Sequence, residues 1–203
     1  KSLQAGDASL RYRAATLIAS RSIAAFDEQL FALADNTGET SALRLSALGT
    51  ALTRKPELNE SRYAFLLENL GEKIDPAQRL SAGKVIGGAK LTNDQLRVLA
   101  EQYLPNADAL TYPALLDAFK NGGDDAVGQA LVKSLSTAAI QPSMIPGGLD
   151  ALLASYPDAV KQAAAPLRAQ VEAEEKARLE KLATIEPLIG HGEARRSRLI
   201  RRR

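Results

Sequence analysis

An internal repeat is the feature that most constrains the fold of this chain. Residues 7–19 align with residues 75–87 at an offset of 68, and a degenerate copy lies between them. An arginine recurs at the equivalent position of each copy, at Arg11, Arg44 and Arg79, with spacings of 33 and 35 residues. A period in this range is typical of folds that stack one small structural unit on the next.

A second motif follows each copy of the first. The three occurrences are EQLFAL at 28–33, YAFLL at 63–67 and DQLRVL at 94–99. Each unit is therefore predicted to be two helices in roughly 34 residues, close to the length of HEAT, armadillo or TPR repeats. Beyond residue 106 the repeat loosens but continues, and further helices are predicted over 110–119, 124–135 and 149–156.

Capping signals support the helix assignments. Asp75 precedes Pro76, and this order places a capping carboxylate before a proline at the first helical position. Thr92 and Gln95 fit a capping box. The repeat also predicts tight contacts between helices at three equivalent alanines, Ala14, Ala47 and Ala82, because only a small side chain lets two helix axes approach closely.

A longer helix is predicted over residues 157–185, with a kink at Pro166. Its apolar residues follow one stripe, which comprises Val160, Ala164, Leu167, Val171, Leu179, Leu182 and Ile185. The stripe is interrupted at 172–176, where a full turn is charged, so the helix is expected to project into solvent there. The predicted fold is all-α, a HEAT-like α-solenoid, that is, a superhelix of antiparallel helix pairs, ending in a longer helix and occupying residues 1–189.

The charge of the chain is unevenly distributed. The whole chain carries +2, but six arginines lie within 195–203, so residues 1–194 carry −4. An acidic body with a basic, Arg-rich tail at 190–203 differs from the broad basic surface of a nucleic-acid binder. We therefore expect no specific nucleic-acid binding, and we expect the tail to be weakly helical and to contribute nothing to the fold.

The residue inventory argues against most catalytic sites. The chain has no cysteine, and its single histidine, His191, is flanked by Gly190 and Gly192 in what the sequence predicts to be a flexible turn. Glu172, Glu174 and Glu175 are interpreted as a solvated helix face. No catalytic, cofactor-binding or metal-binding residue is predicted, the chain is not expected to be an enzyme, and no uncharged stretch is long enough to predict a membrane span.

The recurring arginines Arg11, Arg44 and Arg79 leave two interpretations open. They could line a concave surface that binds an anion, as the concave faces of solenoids often do. Alternatively, they could bridge neighbouring repeats through carbonyl groups and carboxylates, which is the more frequent use of an arginine that recurs with a repeat.

Two segments carry a family resemblance. Residues 79–96, RLSAGKVIGGAKLTNDQL, together with LLDAF at 115–119 and DAVGQAL at 125–131, resemble the HEAT-repeat region of large planctomycete-type haem-binding CxxCH proteins with a membrane-bound dehydrogenase-like part. Residues 190–200 are similar to the stretch that opens the cytochrome c domain of that family, with Ser197 where a glycine is usual and Arg201 where an aromatic residue is usual. The resemblance implies a dehydrogenase-like β-propeller before the repeats and a haem c domain after them.

This resemblance yields the functional hypotheses. The chain would be a non-catalytic scaffold or spacer between the propeller and the cytochrome, with other domains of the parent chain as partners and a periplasmic or extracytoplasmic location. Haem is implied only for the domain that would follow, since no CxxCH motif is present here. The alternatives are a stand-alone HEAT-like adaptor that binds a protein and, less favoured, a HEAT-like nucleic-acid binder.

Overall fold

The computed structural model describes residues 7–21, 24–137 and 148–200, and for 184–200 it describes the backbone alone. Within these ranges the fold contains helices and no β-strand; an isolated parallel β-bridge joins Glu57 and Lys90. The all-α prediction is therefore confirmed. The helices are α1 (Ala8–Arg21), α2 (Asp27–Asp35), α3 (Ser41–Leu52), α4 (Glu60–Glu68), α5 (Pro76–Gly88), α6 (Asn93–Val98), α7 (Tyr112–Leu116), α8 (Asp125–Thr137), α9 (Gly148–Leu153), α10 (Asp158–Ala163) and α11 (Ala165–Ile200).

The helix starts show the repeat more clearly than the sequence does. We call α1, α3, α5, α7 and α9 the first helices, and α2, α4, α6, α8 and α10 the second helices. The first helices begin 33, 35, 36 and 36 residues apart, and the second helices begin 33, 33, 32 and 33 residues apart. The predicted two-helix unit therefore continues beyond residue 106, with short 3-10 turns and one π-turn, Leu99–Tyr103, at helix ends.

Contacts between the helices run from each unit to the next. Among the first helices, α1 packs on α3, α3 on α5 and α5 on α7. Among the second helices, α6 packs on α8 and α8 on α10, while α2 packs on α3 and α4 on α5. The apolar residues at these contacts form one continuous core, filled mainly by leucine and alanine.

The predicted caps are present. Asp75 Oδ1 accepts a hydrogen bond from Ala77 N at 2.9 Å, with Pro76 in the first turn of α5. Thr92 and Gln95 form a reciprocal capping box at the start of α6. Sequence reasoning had not singled out Thr40 and Asn59, whose side chains cap α3 and α4.

Two of the three predicted small-residue contacts are confirmed. Ala47 and Ala82 are both 0% exposed, inside the contacts among the first helices. The prediction for Ala14 was wrong: this residue is half-buried, and its neighbour Ala15 is buried instead. The difference follows from packing, because α5 lies between α3 and α7 whereas α1 packs on α3.

The C-terminal part differs from its prediction in two ways. The chain breaks at Ala164, between α10 and α11, instead of kinking at Pro166, because proline lacks the N–H that would continue the helical hydrogen bonds. Helix α11 then extends beyond residue 185 to Ile200, so the predicted flexible turn around His191 was wrong and the tail is helical as far as Ile200. An isolated glycine costs a helix only about 1 kcal/mol, and most residues of 193–199 are good helix formers.

Candidate functional site

The first recurring arginine, Arg11, bridges two units. It lies in α1, and its Nη2 donates to Glu39 Oε2 at 2.7 Å. Glu39 lies two residues before Ser41, the first residue of α3. The ion pair therefore joins a first helix to the loop that leads into the next first helix.

The second recurring arginine, Arg44, is also used between helices. Its Nε donates to the carbonyl oxygen of Ala34, near the end of α2, at 2.7 Å. Its guanidinium lies 3.8 Å from the centroid of the Phe65 ring, which belongs to α4. Since Ala34 precedes and Phe65 follows it in the chain, Arg44 links the second helices of two successive units through α3.

The third recurring arginine, Arg79, is equivalent to Arg11 in the use of its side chain. Its Nη1 donates to the carbonyl oxygen of Glu72 at 2.9 Å, and its Nε lies 3.0 Å from Asp108 Oδ2. Asp108 lies in the loop before α7, the next first helix. Arg79 therefore ties α5 to the entry of α7, as Arg11 ties α1 to the entry of α3.

These three arginines do not converge on one site. Each is satisfied by a different set of partners at a boundary between successive units. The geometry of Arg11, Arg44 and Arg79 therefore corresponds to the second of the two interpretations, bridging between repeats, and none of the three presents an open guanidinium for an anion.

A further set of ionic contacts connects α2 to the following unit. Asp27 pairs with Arg54, Glu28 with Lys55 and Asp35 with Arg62, and each pair is separated by 27 residues. Sequence reasoning missed this set, although the constant separation of three oppositely charged pairs is a visible signal.

The environment of these pairs differs along α2. The Asp27 carboxylate and the Arg54 side chain are largely buried, whereas Lys55 and Glu28 are exposed. The hydrogen bond to Glu28 raises the pKa of Lys55 above its ordinary value. Arg62 also stacks on Phe31, with its guanidinium 4.0 Å from the ring centroid, so this contact combines charge with a cation–π interaction.

A cavity of about 350 Å³ adjoins Arg79. It is bounded by the loop before α5, the end of the π-turn and the start of α7, with Glu72, Tyr103 and Asp108 among its walls. Burial alone would raise the pKa of Asp108, but hydrogen bonds from Thr111 and Leu110, with the charge of Arg79, hold this pKa below its ordinary value. Asp108 is thus an ionised structural partner of Arg79 and a cap for α7, and these two roles occupy both of its oxygens.

A shallow groove of about 640 Å³ crosses the first helices α1, α3 and α5. Its walls carry small and hydroxyl side chains, among them Ser46, Gly49 and Ser81, with Tyr12 at one end and Lys84 on α5. A Cβ atom built on Gly49 would lie only 3.0 Å from Val85, so the glycine allows α3 and α5 to approach closely at the base of the groove. The groove is the most extended concave surface among the first helices, and it can accommodate an extended peptide or a helix face.

The described residues offer no obvious catalytic or metal-binding arrangement. No group of three histidine, cysteine, aspartate or glutamate residues within them could hold a metal ion. None of the helices in the described ranges combines the length and the apolar character that crossing a membrane requires. The side chain of His191 lies outside the described residues, and Glu172 and Glu175 are exposed on α11, as the sequence predicted.

Comparisons with known proteins add no family to these observations. The chain matches no protein-family model, no curated protein and no solved structure.

Proposed function

We propose that this chain is a non-catalytic scaffold, a HEAT-like α-solenoid that holds other protein parts at a fixed separation. The regular starts of the first and second helices support this proposal, as do the contacts from each first helix to the next. In a solenoid, stability is close to a sum of unit and interface contributions, so the contacts between units determine how rigid the array is.

The observation that carries the proposal is the use made of the recurring polar residues. Arg11, Arg44 and Arg79 recur with the unit, and the partners of all three lie at boundaries between units. The three ion pairs that extend from α2 reinforce the same kind of boundary. A repeat that directs its conserved polar positions inwards in this way is suited to keeping a shape.

The resemblance of residues 79–96 to the HEAT region of haem-binding CxxCH proteins suggests which parts the scaffold would separate. By that resemblance they are a dehydrogenase-like β-propeller and a c-type cytochrome domain, in a periplasmic or extracytoplasmic protein. Nucleic acid is not among the proposed partners, because residues 1–194 carry a net charge of −4.

The distance between the two ends of the array tests the scaffold. Because the chain has no cysteine, the exposed residues Arg13 and Ala151 can be replaced by cysteine and spin-labelled without side reactions. Pulsed electron spin resonance should give one narrow distance distribution between α1 and α9. A broad or multimodal distribution would show that the units move independently and would remove the basis of the spacer function.

A pair of substitutions connects that distance to the proposed contacts. Arg79→Ala removes a bridge between units and should broaden the distribution. Arg97→Ala is the matched control, because Arg97 pairs with Asp94 inside α6 and joins no units. If both variants give the same distribution as the parent chain, the bridging arginines are not what fixes the shape.

The groove across α1, α3 and α5 favours a second candidate function, a stand-alone adaptor that docks a protein. A photoreactive residue in place of Ser81, inside the groove, should then cross-link to one protein in the native host, while the same residue in place of Ala64, exposed on α4, should not. Cross-links at both positions or at neither would leave the spacer as the better account.

A further inference from the structure

Helix α11 extends far beyond the part of the fold that it packs against. It contains 36 residues and is therefore about 54 Å long. It contacts α8 and α10, and Leu167 in its first turn is buried in the core. From residue 175 to residue 183, in contrast, every side chain is exposed.

This projecting part carries an apolar stripe. Leu179 and Leu182 are 59% and 53% exposed, and they lie one turn apart. The sequence continues the stripe at Ile185 and Ile189, with the spacings of three and four residues that place side chains on one helix face. A single helix surrounded by water is only marginally stable, so a long projecting helix with an apolar stripe calls for a partner along that stripe.

The charges along α11 indicate which partner fits. Glu172, Glu174 and Glu175 form an acidic cluster on one side of the stripe, whereas residues 195–203 contain six arginines on the other side. The two charged segments lie at similar distances from the apolar positions 182–189 that separate them. Opposite charges at the two ends of one apolar stripe are complementary to a reversed copy of the same helix.

We propose that two copies of this chain pair through α11 in antiparallel orientation. The apolar positions around Leu182 and Ile185 of the two copies meet at the two-fold axis, so that each copy offers the same surface to the other. The acidic cluster of each copy then lies beside the arginines of its partner, twice in the dimer. A parallel pair is disfavoured, because it would place arginine against arginine and glutamate against glutamate.

The pairing is compatible with the rest of the fold. The exposed residues 175–183 lie beyond the contacts with α8 and α10, so a partner helix can approach without displacing α8 or α10. The proposal goes beyond the scaffold function, since it would join two scaffolds and set the orientation of one relative to the other.

The first test is the mass of the intact chain in solution. Light scattering after size-exclusion chromatography should give twice the 21.6 kDa of the chain, with a dimer that weakens as salt screens the ends. Replacing Leu179 and Leu182 together by glutamine should give a monomer. Leu110→Gln is the matched control, because Leu110 is a similarly exposed leucine outside α11 and its substitution should leave the dimer intact. The proposal is overturned by a parent chain that is monomeric at every soluble concentration, or by equal effects of the two sets of substitutions.

The second test addresses orientation by charge reversal. One variant carries Glu172→Arg with Glu175→Arg, and the other carries Arg196→Glu with Arg198→Glu. Each variant alone should be predominantly monomeric, because both ends of its antiparallel pair would repel. An equimolar mixture should form a heterodimer, because each reversed end then meets an opposite charge. A mixture that stays monomeric, or variants that dimerise as well as the parent chain, would exclude the antiparallel arrangement. Unchanged melting temperatures of the variants would show that the stack itself is intact.

Discussion

Arg79 of α5 lies with its Nε 3.0 Å from Oδ2 of Asp108, in the loop before α7, 29 residues later in the chain. The same guanidinium holds the carbonyl of Glu72, and the same carboxylate accepts hydrogen bonds from the backbone of Leu110 and Thr111. One ion pair therefore fixes the loops at the starts of two successive first helices. Arg11 and Glu39 repeat this relationship at the start of α3.

The Arg79–Asp108 contact should show an energetic coupling. Because both side chains are partly buried, we expect a double-mutant cycle with Arg79→Ala and Asp108→Ala to give a coupling of about 1 kcal/mol, measured by urea unfolding. Asp108→Ala alone should cost more, roughly 1–2 kcal/mol, since it also removes the cap of α7. Additive effects of the two substitutions would mean that the ion pair does not contribute to stability.

Asp108 should also make the stability dependent on pH. Its pKa in the folded state is lowered, so its ionised form stabilises the fold; this contribution is complete above the unfolded value of about 3.9 and is lost as the pH falls through the folded value. In Asp108→Asn this part of the acid dependence should be absent. The free energy of unfolding of both proteins, measured between neutral and acidic pH, should therefore converge as the pH falls. Parallel curves would contradict the assignment.

The helix pairs were predictable because their signals are local. The capping residues Asp75 and Thr92 mark helix starts within four residues of chain, and the alanines Ala47 and Ala82 recur at the period of the unit. Local rules could not give the partner of Arg79, because a long side chain reaches over a loop whose length varies between units. Glu39 lies two residues before α3, whereas Asp108 lies four residues before α7.

Other features depend on context that the sequence pattern does not carry. The exposure of Ala14 follows from the position of α1 in the array, not from its residues. The groove across α1, α3 and α5 arises from the spacing between helices, which Gly49 and Val85 set jointly. The pairs from Asp27, Glu28 and Asp35 to residues 27 positions later could have been found, since their separation is constant.

Two adjacent glycines of α5 should respond oppositely to alanine. A Cβ atom at Gly87 would lie 2.2 Å from the carbonyl oxygen of Ala114, whereas a Cβ atom at Gly88 would meet nothing within 4 Å. Gly87→Ala should therefore force α5 and α7 apart and cost about 1–3 kcal/mol. Gly88→Ala should be neutral or stabilising by up to about 1 kcal/mol. Thermal unfolding of the two variants measures the difference, and a stable Gly87→Ala variant would mean that α5 and α7 are not in this close contact.

Gln95 joins two second helices from a buried position. Its Nε2 donates to Glu60 Oε1 at 2.9 Å and to the Leu58 carbonyl oxygen at 3.2 Å, and its own carbonyl accepts from the Tyr63 hydroxyl at 2.7 Å. Its Oε1 accepts from Thr92 N in the capping box. Both the donor and the acceptor of this side chain are therefore used, and no other residue type can reproduce both roles.

Gln95→Glu should convert this contact into a pH-dependent penalty. A carboxylate there loses the two donated hydrogen bonds and faces Glu60, so burial and like charge raise the folded pKa of the introduced carboxyl above its unfolded value of about 4.3. At neutral pH the variant should be less stable than the parent chain by about 2–4 kcal/mol. The penalty should shrink as the pH falls through the raised pKa, because the protonated carboxyl can again donate. Gln95→Ala is the control, since its loss of about 1–3 kcal/mol should not depend on pH. Equal pH profiles for the two variants, measured by urea unfolding from pH 7 down to about pH 4, the region of the unfolded carboxyl pKa, would show that Gln95 does not lie between these acceptors.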